Sequence, residues 1–297
     1  MRNGRVYCLS TVDLDRVFHV ERFPGPDEKV FATRYSEGAG GQGVFVARAL
    51  VGLRVPVTFV GVVGDDATGV AVVNELRRYP DLAVDVETVP GRHTGSCVIL
   101  VDPSGEKSIV LTPLQTELVA GLGHALHVTP MDIVTANFYH ASAPRLLFDR
   151  VRAEGGLSLL DLEITAVDLF GWDNATLVAA AADFVCTNAP TMRAWCRSQN
   201  LDLTPLDGAK RFAEHLGQPG RGVCVTLGAG GVWVNDGKTA HHYPATPVRA
   251  VNTTGAGDTF LAGLTKSLRE GRELHHAAKL AQGVVAHFLT HGSVTPE

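Results

Sequence analysis

Asn252-Thr253-Thr254-Gly255-Ala256-Gly257-Asp258-Thr259-Phe260 runs straight into an apolar pattern of Leu261, Leu264 and Leu268, with Ala262 and Gly263 between them. Spacing of i, i+3 and i+7 sets the leucines on one helical face, so a helix is predicted to begin near Gly255 to Gly257 and to bury that stripe. The small residues then stand at the helix N-terminus, where the first N–H groups lack intrahelical acceptors and the macrodipole is positive. Without bulky side chains there, a phosphate can approach the amides of Gly255, Ala256 and Gly257. Asp258 would direct its carboxylate into the same space, close enough to take a proton from an alcohol attacking a phosphoryl group held by those amides. The same residues also read as a plain helix start, with Asp258 as a cap and Gly255 as the turn. The remainder of the chain decides between them.

The 297 residues, 45% hydrophobic and 19% charged, suffice for one large core or a core with a small appendage. Acids outnumber bases 31 to 26 for a net charge of −5, with no long run of either sign. There is thus no electrostatic footprint for nucleic acid or an anionic membrane, and a small-molecule partner is favoured. The cysteines Cys8, Cys97, Cys186, Cys196 and Cys224 are odd in number and unclustered, which fits neither a disulfide framework nor a zinc spacing. Residues 1–4 lead directly into the strand-like Arg5–Ser10, and no apolar run approaches the length of a spanning helix, so the cytoplasm is the expected location.

Val6–Ser10 reads as a buried first strand that delivers Asp13 and Asp15 past its carboxyl end, the end at which open α/β sheets bind ligands. A solvated turn would account for these acids equally well. Val17–Phe23 and Val30–Tyr35, separated by Pro24-Gly25-Pro26-Asp27, suggest an irregular hairpin, and Ser96–Val101 with Lys107–Leu111 suggests a second. Together they predict a small separate sheet, spanning about residues 16–38 and 94–113, that covers either the site or a partner's equivalent sheet. Glu37-Gly38-Ala39-Gly40-Gly41-Gln42-Gly43 is a second glycine-rich loop entering a helix, a geometry suited to cradling a phosphate or a sugar hydroxyl. It has neither the G-x-G-x-x-G of a dinucleotide fold nor the G-K-[ST] of a P-loop.

Val57–Val63 is a buried strand, and Asp65 or Asp66 caps the helix that follows to about Tyr79. Strands near Ile133–Ala136, Leu157–Leu160, Phe184–Thr187 and Gly222–Thr226 alternate with helices near residues 144–154, 175–181, 190–198 and 205–216, which argues for a parallel sheet covered on both faces. Val225 to Trp233 is strand, glycine turn and strand. Its bare Gly228 and Gly230 could receive a nucleotide or simply turn a hairpin. His275–Leu289 forms the last helix, with His276, His287 and nearby His291 at solvent or a rim. Asp161, Glu163 and Asp168 place further acids at a strand's carboxyl end.

Taken in order, these elements resemble the ribokinase-like (PfkB) carbohydrate kinases along nearly the whole chain. The acid Asp13, the pair Gly40-Gly41, the turn Thr226-Leu227-Gly228 and Thr254-Gly255-Ala256-Gly257-Asp258 match the family's order, the last resembling its D-T-x-G-A-G-D signature. Gly61-Val62-Val63-Gly64-Asp65-Asp66 followed by Gly69 resembles its G-x-x-G-x-D-x-x-G stretch.

The resemblance implies one three-layer α/β/α domain over residues 1–297, with a mostly parallel central sheet and a β lid that can also pair two subunits as a homodimer. It implies ATP-dependent phosphorylation of a sugar hydroxyl, with magnesium (Mg2+) on the nucleotide. Asp258 would be the general base and Gly255, Ala256 and Gly257 the anion hole. Asp13, Gly40, Gly41, Gln42 and Asn137 would bind the sugar, and Asn188, Thr226, Gly228, Gly231 and Thr254 the nucleotide.

Departures from the family bear on substrate and ions. Where ribokinase has G-G-K-G-A-N, this chain has Gly40-Gly41-Gln42-Gly43-Val44-Phe45, so a cation becomes an amide and an amide becomes an aromatic. Asn252 replaces the first acid of the signature, tied to monovalent cations such as potassium (K+), and Asn188-Ala189-Pro190-Thr191 replaces N-x-x-E, tied to phosphate and magnesium. Softer similarity around Asp13, Arg16 and Asp161–Thr165 points to the branch of ketohexokinase and 6-deoxy-6-sulfofructose kinase, hence to a ketohexose or modified ketose. Two alternatives stand beside it: a nucleoside kinase stacking a base on Phe45, and a non-catalytic binding relative. Among Arg16, Arg34, Arg92, Lys107 and Arg145, a cluster of two or more would indicate an anionic substituent on the substrate.

Overall fold

In a computed structural model of the chain, the residues described are 4–113, 126–137, 143–249 and 253–294. Strand β1 (Val6–Leu9) is followed by β2 (Asp13–Val20) and β3 (Ala32–Gly40), then helix α1 (Gln42–Gly52), β4 (Val57–Gly64) and α2 (Ala67–Leu76). Next come β5 (Leu82–Val89), β6 (Gly95–Val101), β7 (Lys107–Leu111) and β8 (Ile133–Asn137). Helices α3 (Ala143–Ala153), α4 (Ile164–Ala181), α5 (Ala189–Ser198) and α6 (Pro205–Leu216) are separated by β9 (Leu157–Leu162) and β10 (Phe184–Asn188), with β11 (Gly222–Thr226) after α6. β12 (Val232–Asn235) and β13 (Ala240–Tyr243) precede α7 (Ala256–Arg269) and α8 (Leu274–His291).

Nine strands form one sheet in the order β13-β12-β11-β10-β9-β8-β1-β4-β5, parallel except where β12 and β13 turn back. Every residue of β4 is buried. That is what a continuous apolar run means when helices cover both faces of a parallel strand. One core cluster joins the sheet to α1, α2, α7 and α8, and a second lies on the opposite face against α3 to α6. Leu261, Leu264 and Leu268 of α7 lie in the first, at 5% exposure or less.

The small sheet has the order β3-β2-β6-β7, with β2 and β6 parallel so that the two expected hairpins lie side by side. Its first two strands run from Asp13 to Gly40, a little beyond the 16–38 span expected, so Asp13 and Asp15, past the end of β1 as expected, already belong to β2. The edge strands β5 and β13 were not expected. β5 alternates Leu82, Val84 and Val86 with polar residues and has one half-wet face, and β13 is four residues long, so neither carries a strong apolar run. Helix α4 starts at Ile164, well before the expected 175, because its break is confined to Gly171, whose φ of 80° kinks a helix that resumes. Among the described residues no helix is long and apolar enough to cross a membrane. All five cysteines are buried and free.

Candidate active site

Strand register builds the floor of the site. Asn137 pairs with Asp161, Asp161 with Cys186, and Cys186 with Cys224. Register partners on parallel strands point to the same face. Here that face is the one under α1 and α7, since Ile133, Leu159, Cys186 and Cys224 share their core cluster. Glu163, Asn188 and Thr226 form the next row: Asn188 pairs with Thr226, and its Nδ2 donates to Glu163 Oε1 at 3.4 Å. A cavity of about 510 Å³ opens over both rows.

One wall is the start of α7. Gly255 is its N-cap at φ 80°, and no side chain caps the helix, so the small residues Gly255, Ala256 and Gly257 line the cavity together with Asp258. Gln42, the first residue of α1, closes another side and donates from Nε2 to Asp161 Oδ2 at 2.6 Å. The far end is Thr226, Leu227 and Gly228, with Arg193 from α5. Asn188 Oδ1 accepts from both the N–H and the hydroxyl of Thr191, at 3.0 and 2.8 Å, and thereby caps α5. The position at which an acid was looked for is thus a fully buried threonine, and the carboxylate beside Asn188 comes from Glu163 instead.

The acids repel one another at a partly buried site. Burial first and then the charge of Glu163 push the Asp258 carboxyl up to about 7, opposed by its own backbone N–H and by Lys107. Asp161 is pushed well above the carboxylate range by burial and then by Glu163 and Asp258, and Glu163 is raised by burial. Lys107, the first residue of β7, is lowered by burial while the Asp258 charge pulls it the other way. The small sheet therefore carries a cation within the field of the carboxyl at the helix start.

Asp13, Gly40, Gly41 and Asn137 gather at the junction of the small sheet and α1, next to the cavity and not in its lining. Glycine is required there by close approach: a Cβ on Gly95 would fall 1.9 Å from Asp13 Oδ1, and one on Gly40 2.0 Å from Asp15 Cγ. Burial raises Asp13, with Thr11 opposing, and raises Asp15 to about 6 with help from the Asp13 charge. Ser10 Oγ ties the junction to the sheet, accepting from Gly43 N at 3.1 Å and Asn137 Nδ2 at 2.9 Å.

Thr254 is half-buried outside the cavity lining, and Gly231 stands behind the turn at φ 93°, where a Cβ would meet Tyr243 O at 2.1 Å. Asn252 lies outside the described residues. Gly231→Ala should cost about 2–4 kcal/mol, from left-handed strain plus a forced backbone shift. Gly228→Ala, with φ 58° but open space around it, should cost only about 1 kcal/mol. Chemical denaturation of the two variants checks this; equal losses would refute the packing role of Gly231.

Asp161, Glu163, Cys186, Thr187, Leu227 and Arg193 also line the cavity. The two acids were visible in the sequence as residues at a strand's carboxyl end. Leu227 lies in the turn already read, whereas Cys186 and Thr187 depend on strand register and Arg193 on the placement of α5, for which the sequence carries no local sign.

An uncapped helix start of small residues, a carboxyl beside it and a bare turn across the cavity make up the site, with a small β-sheet alongside. The sequence matches the pfkB family of carbohydrate kinases over residues 4–296, and the chain belongs to that family. It is 26% identical to a ribokinase of Lactococcus lactis subsp. lactis over 293 residues, covering 96% of this chain and 90% of that one. Its fold is similar to that of Arabidopsis thaliana ribokinase complexed with ribose and ATP, with a TM-score of 0.74 and 22% identity, covering 99% and 94% of the two chains. It is likewise similar to Escherichia coli phosphofructokinase-2 in complex with fructose-6-phosphate, with a TM-score of 0.76 and 21% identity over 98% and 96%. The protein is an ATP-dependent carbohydrate kinase, transferring a phosphoryl group to an alcohol.

Proposed function

We propose that Asp258 is the general base of this kinase, taking the proton of a sugar hydroxyl as it attacks the γ-phosphoryl group of ATP, while the amides of Gly255, Ala256 and Gly257 hold the transferring charge. The observation that carries this reading is a carboxyl raised to about 7 at an uncapped helix start inside the cavity. A base is most effective with a pKa near the working pH, and donors fixed in a dry site need no reorganisation as charge develops. Asn188, Thr226 and Gly228, across the cavity, bind the nucleotide, with Thr254 and Gly231 supporting the backbone on either side. Asp13, Gly40, Gly41, Gln42 and Asn137 form the sugar side, closed over by the small sheet.

Among the described residues no group of three or more His, Cys, Asp or Glu side chains is set to hold a metal ion. In this reading magnesium comes with the nucleotide, the usual mode for an ion that keeps its waters and takes one or two carboxylates. Glu163, a buried carboxyl with no cationic partner among the described residues, fits that role, and the ion would neutralise phosphate charge. A potassium requirement rests on the region of Asn252, and the same assay with and without potassium chloride reads it.

For the acceptor we favour a ketohexose over ribose, because Gln42 stands where a ribokinase loop has lysine. The nucleoside alternative, a base stacked on half-buried Phe45 of α1, stands beside it, and adenosine in the acceptor panel decides between them. Retention of Asp258 and the open helix start weighs against a non-catalytic role. Exposed Tyr35, Ile109, Val110 and Leu111 on the small sheet suit pairing with a second copy, which sedimentation equilibrium tests.

A coupled ADP-release assay over ketoses, aldoses and nucleosides tests the reading, and its pH dependence tests the base. The active form of Asp258 is deprotonated and its pKa is raised, so activity is lost as pH falls through about 7. Here kcat/KM should drop roughly tenfold per pH unit below that value and level off above it. Glu163→Gln removes one cause of the rise and should move the limb to lower pH. A profile flat from pH 6 to 8 would remove Asp258 from this role.

A further inference from the structure

On the sugar side of the site two buried amide oxygens lack donors among the described residues. Asn137 is only 4% exposed, and its Nδ2 is spent on Ser10, but its Oδ1 is buried with no partner among the described residues. Gln42 repeats the pattern: Nε2 is spent on Asp161, and Oε1 is buried with no partner among the described residues. Asn137 and Asp161 are register partners under the first residue of α1, so the two amides and the carboxyl form one corner. An acceptor buried without a donor costs about 1–3 kcal/mol, which a ligand bringing N–H or O–H groups recovers.

Charge points the same way. Asp161, Glu163 and Asp258 line the cavity, and Asp13 and Asp15 adjoin it, all raised by burial and several by one another. The cations named from the sequence are largely paired or solvent-facing. Arg48 pairs with Glu75 at 2.6 Å and Arg16 with Glu37 at 4.0 Å, while Arg34, Arg92 and Arg145 are exposed and outside the lining. Arg193 belongs to the nucleotide end, leaving Lys107 facing Asp258. The cluster of two or more basic residues that would have signalled an anionic substituent is absent among the described residues. A phosphate on the acceptor would face carboxyls with no lysine at position 42 to offset them.

We propose that the Gln42, Asp161 and Asn137 corner is a specificity subsite for hydrogen-bond donors. It accepts a hydroxyl or ammonium group of a neutral or amino-substituted sugar and excludes sugars bearing phosphate or carboxylate. An ammonium supplies three donors to this corner and relieves the repulsion among the acids, whereas an anion adds to it. The proposal rests on the kinase reading above and narrows its acceptor to a charge class.

The test compares matched acceptors on the wild-type enzyme: D-fructose, 1-amino-1-deoxy-D-fructose and fructose 6-phosphate, with D-ribose, 2-amino-2-deoxy-D-ribose and ribose 1-phosphate. The expected result is kcat/KM for each phosphate at least about 100-fold below its neutral parent, and for each amino sugar equal to or above it. Gln42→Lys should narrow the penalty against the phosphates by about tenfold or more and abolish any preference for the amino sugars. A wild-type enzyme that uses either phosphate as well as its parent would overturn the proposal, as would a folded Gln42→Lys variant with unchanged ratios. Failure of the kinase reading appears differently, as no sugar-dependent ADP release. Calorimetric titration of the same six sugars onto the ADP-bound protein then reads the subsite by itself: phosphates binding as tightly as their parents would sink it, and a retained order of amino, neutral and phosphate would uphold it.

Discussion

Asp258→Asn should lower kcat by about 10²–10⁴-fold while leaving the affinity for an ATP analogue within a factor of about two, the amount expected when a general base is lost and the site keeps its shape. Asparagine preserves the volume at the start of α7 but cannot take a proton. The residual rate should also lose its dependence on pH near 7, because the group responsible has gone. Steady-state rates and calorimetric titration of the analogue measure both. Turnover within a few-fold of wild type would end the assignment.

Gly257→Val should cost about 10²–10³-fold in kcat, the typical loss when donors to a developing oxyanion are blocked. The choice of glycine matters. Gly255 has φ 80°, so any side chain there strains the backbone and confounds activity with stability. A Cβ on Gly257 meets no atom within 4 Å, and its backbone is helical, so valine fits the fold and projects into the cavity. Thermal unfolding of the variant should stay close to wild type. A stable variant with undiminished kcat would show that the amides of this turn do not carry the transferring charge.

The sheet, its helix layers and the second small sheet were legible because their signals are local: a buried parallel strand such as β4 is a continuous apolar run, and α7 announces itself by three leucines on one face. The helix start at Gly255 to Asp258 was legible for the same reason, since small residues and an acid are contiguous there. What was not legible depends on juxtaposition across the chain. Asp161 reaches Gln42 from 119 residues away and stands beside Cys186 only through the pairing of β9 with β10. Gly40 reads as backbone a ligand can approach, and the Asp15 carboxyl where its Cβ would stand is a second reason for glycine that needs the β2–β3 register to be seen. The acid absent from helix α5 at Thr191 has a carboxyl near it in space, since Glu163 accepts from Asn188, and a motif read along one helix registers only the loss.

The most direct test of the central claim is sugar-dependent ADP release by the wild-type enzyme and by Asp258→Asn, assayed side by side at pH 8 with magnesium and a panel of neutral, amino and phosphorylated sugars. The expected result is release that requires a sugar in the wild type and falls by two orders of magnitude or more in the variant, at unchanged nucleotide affinity. Release that is independent of every sugar, or that survives in the variant, would contradict it.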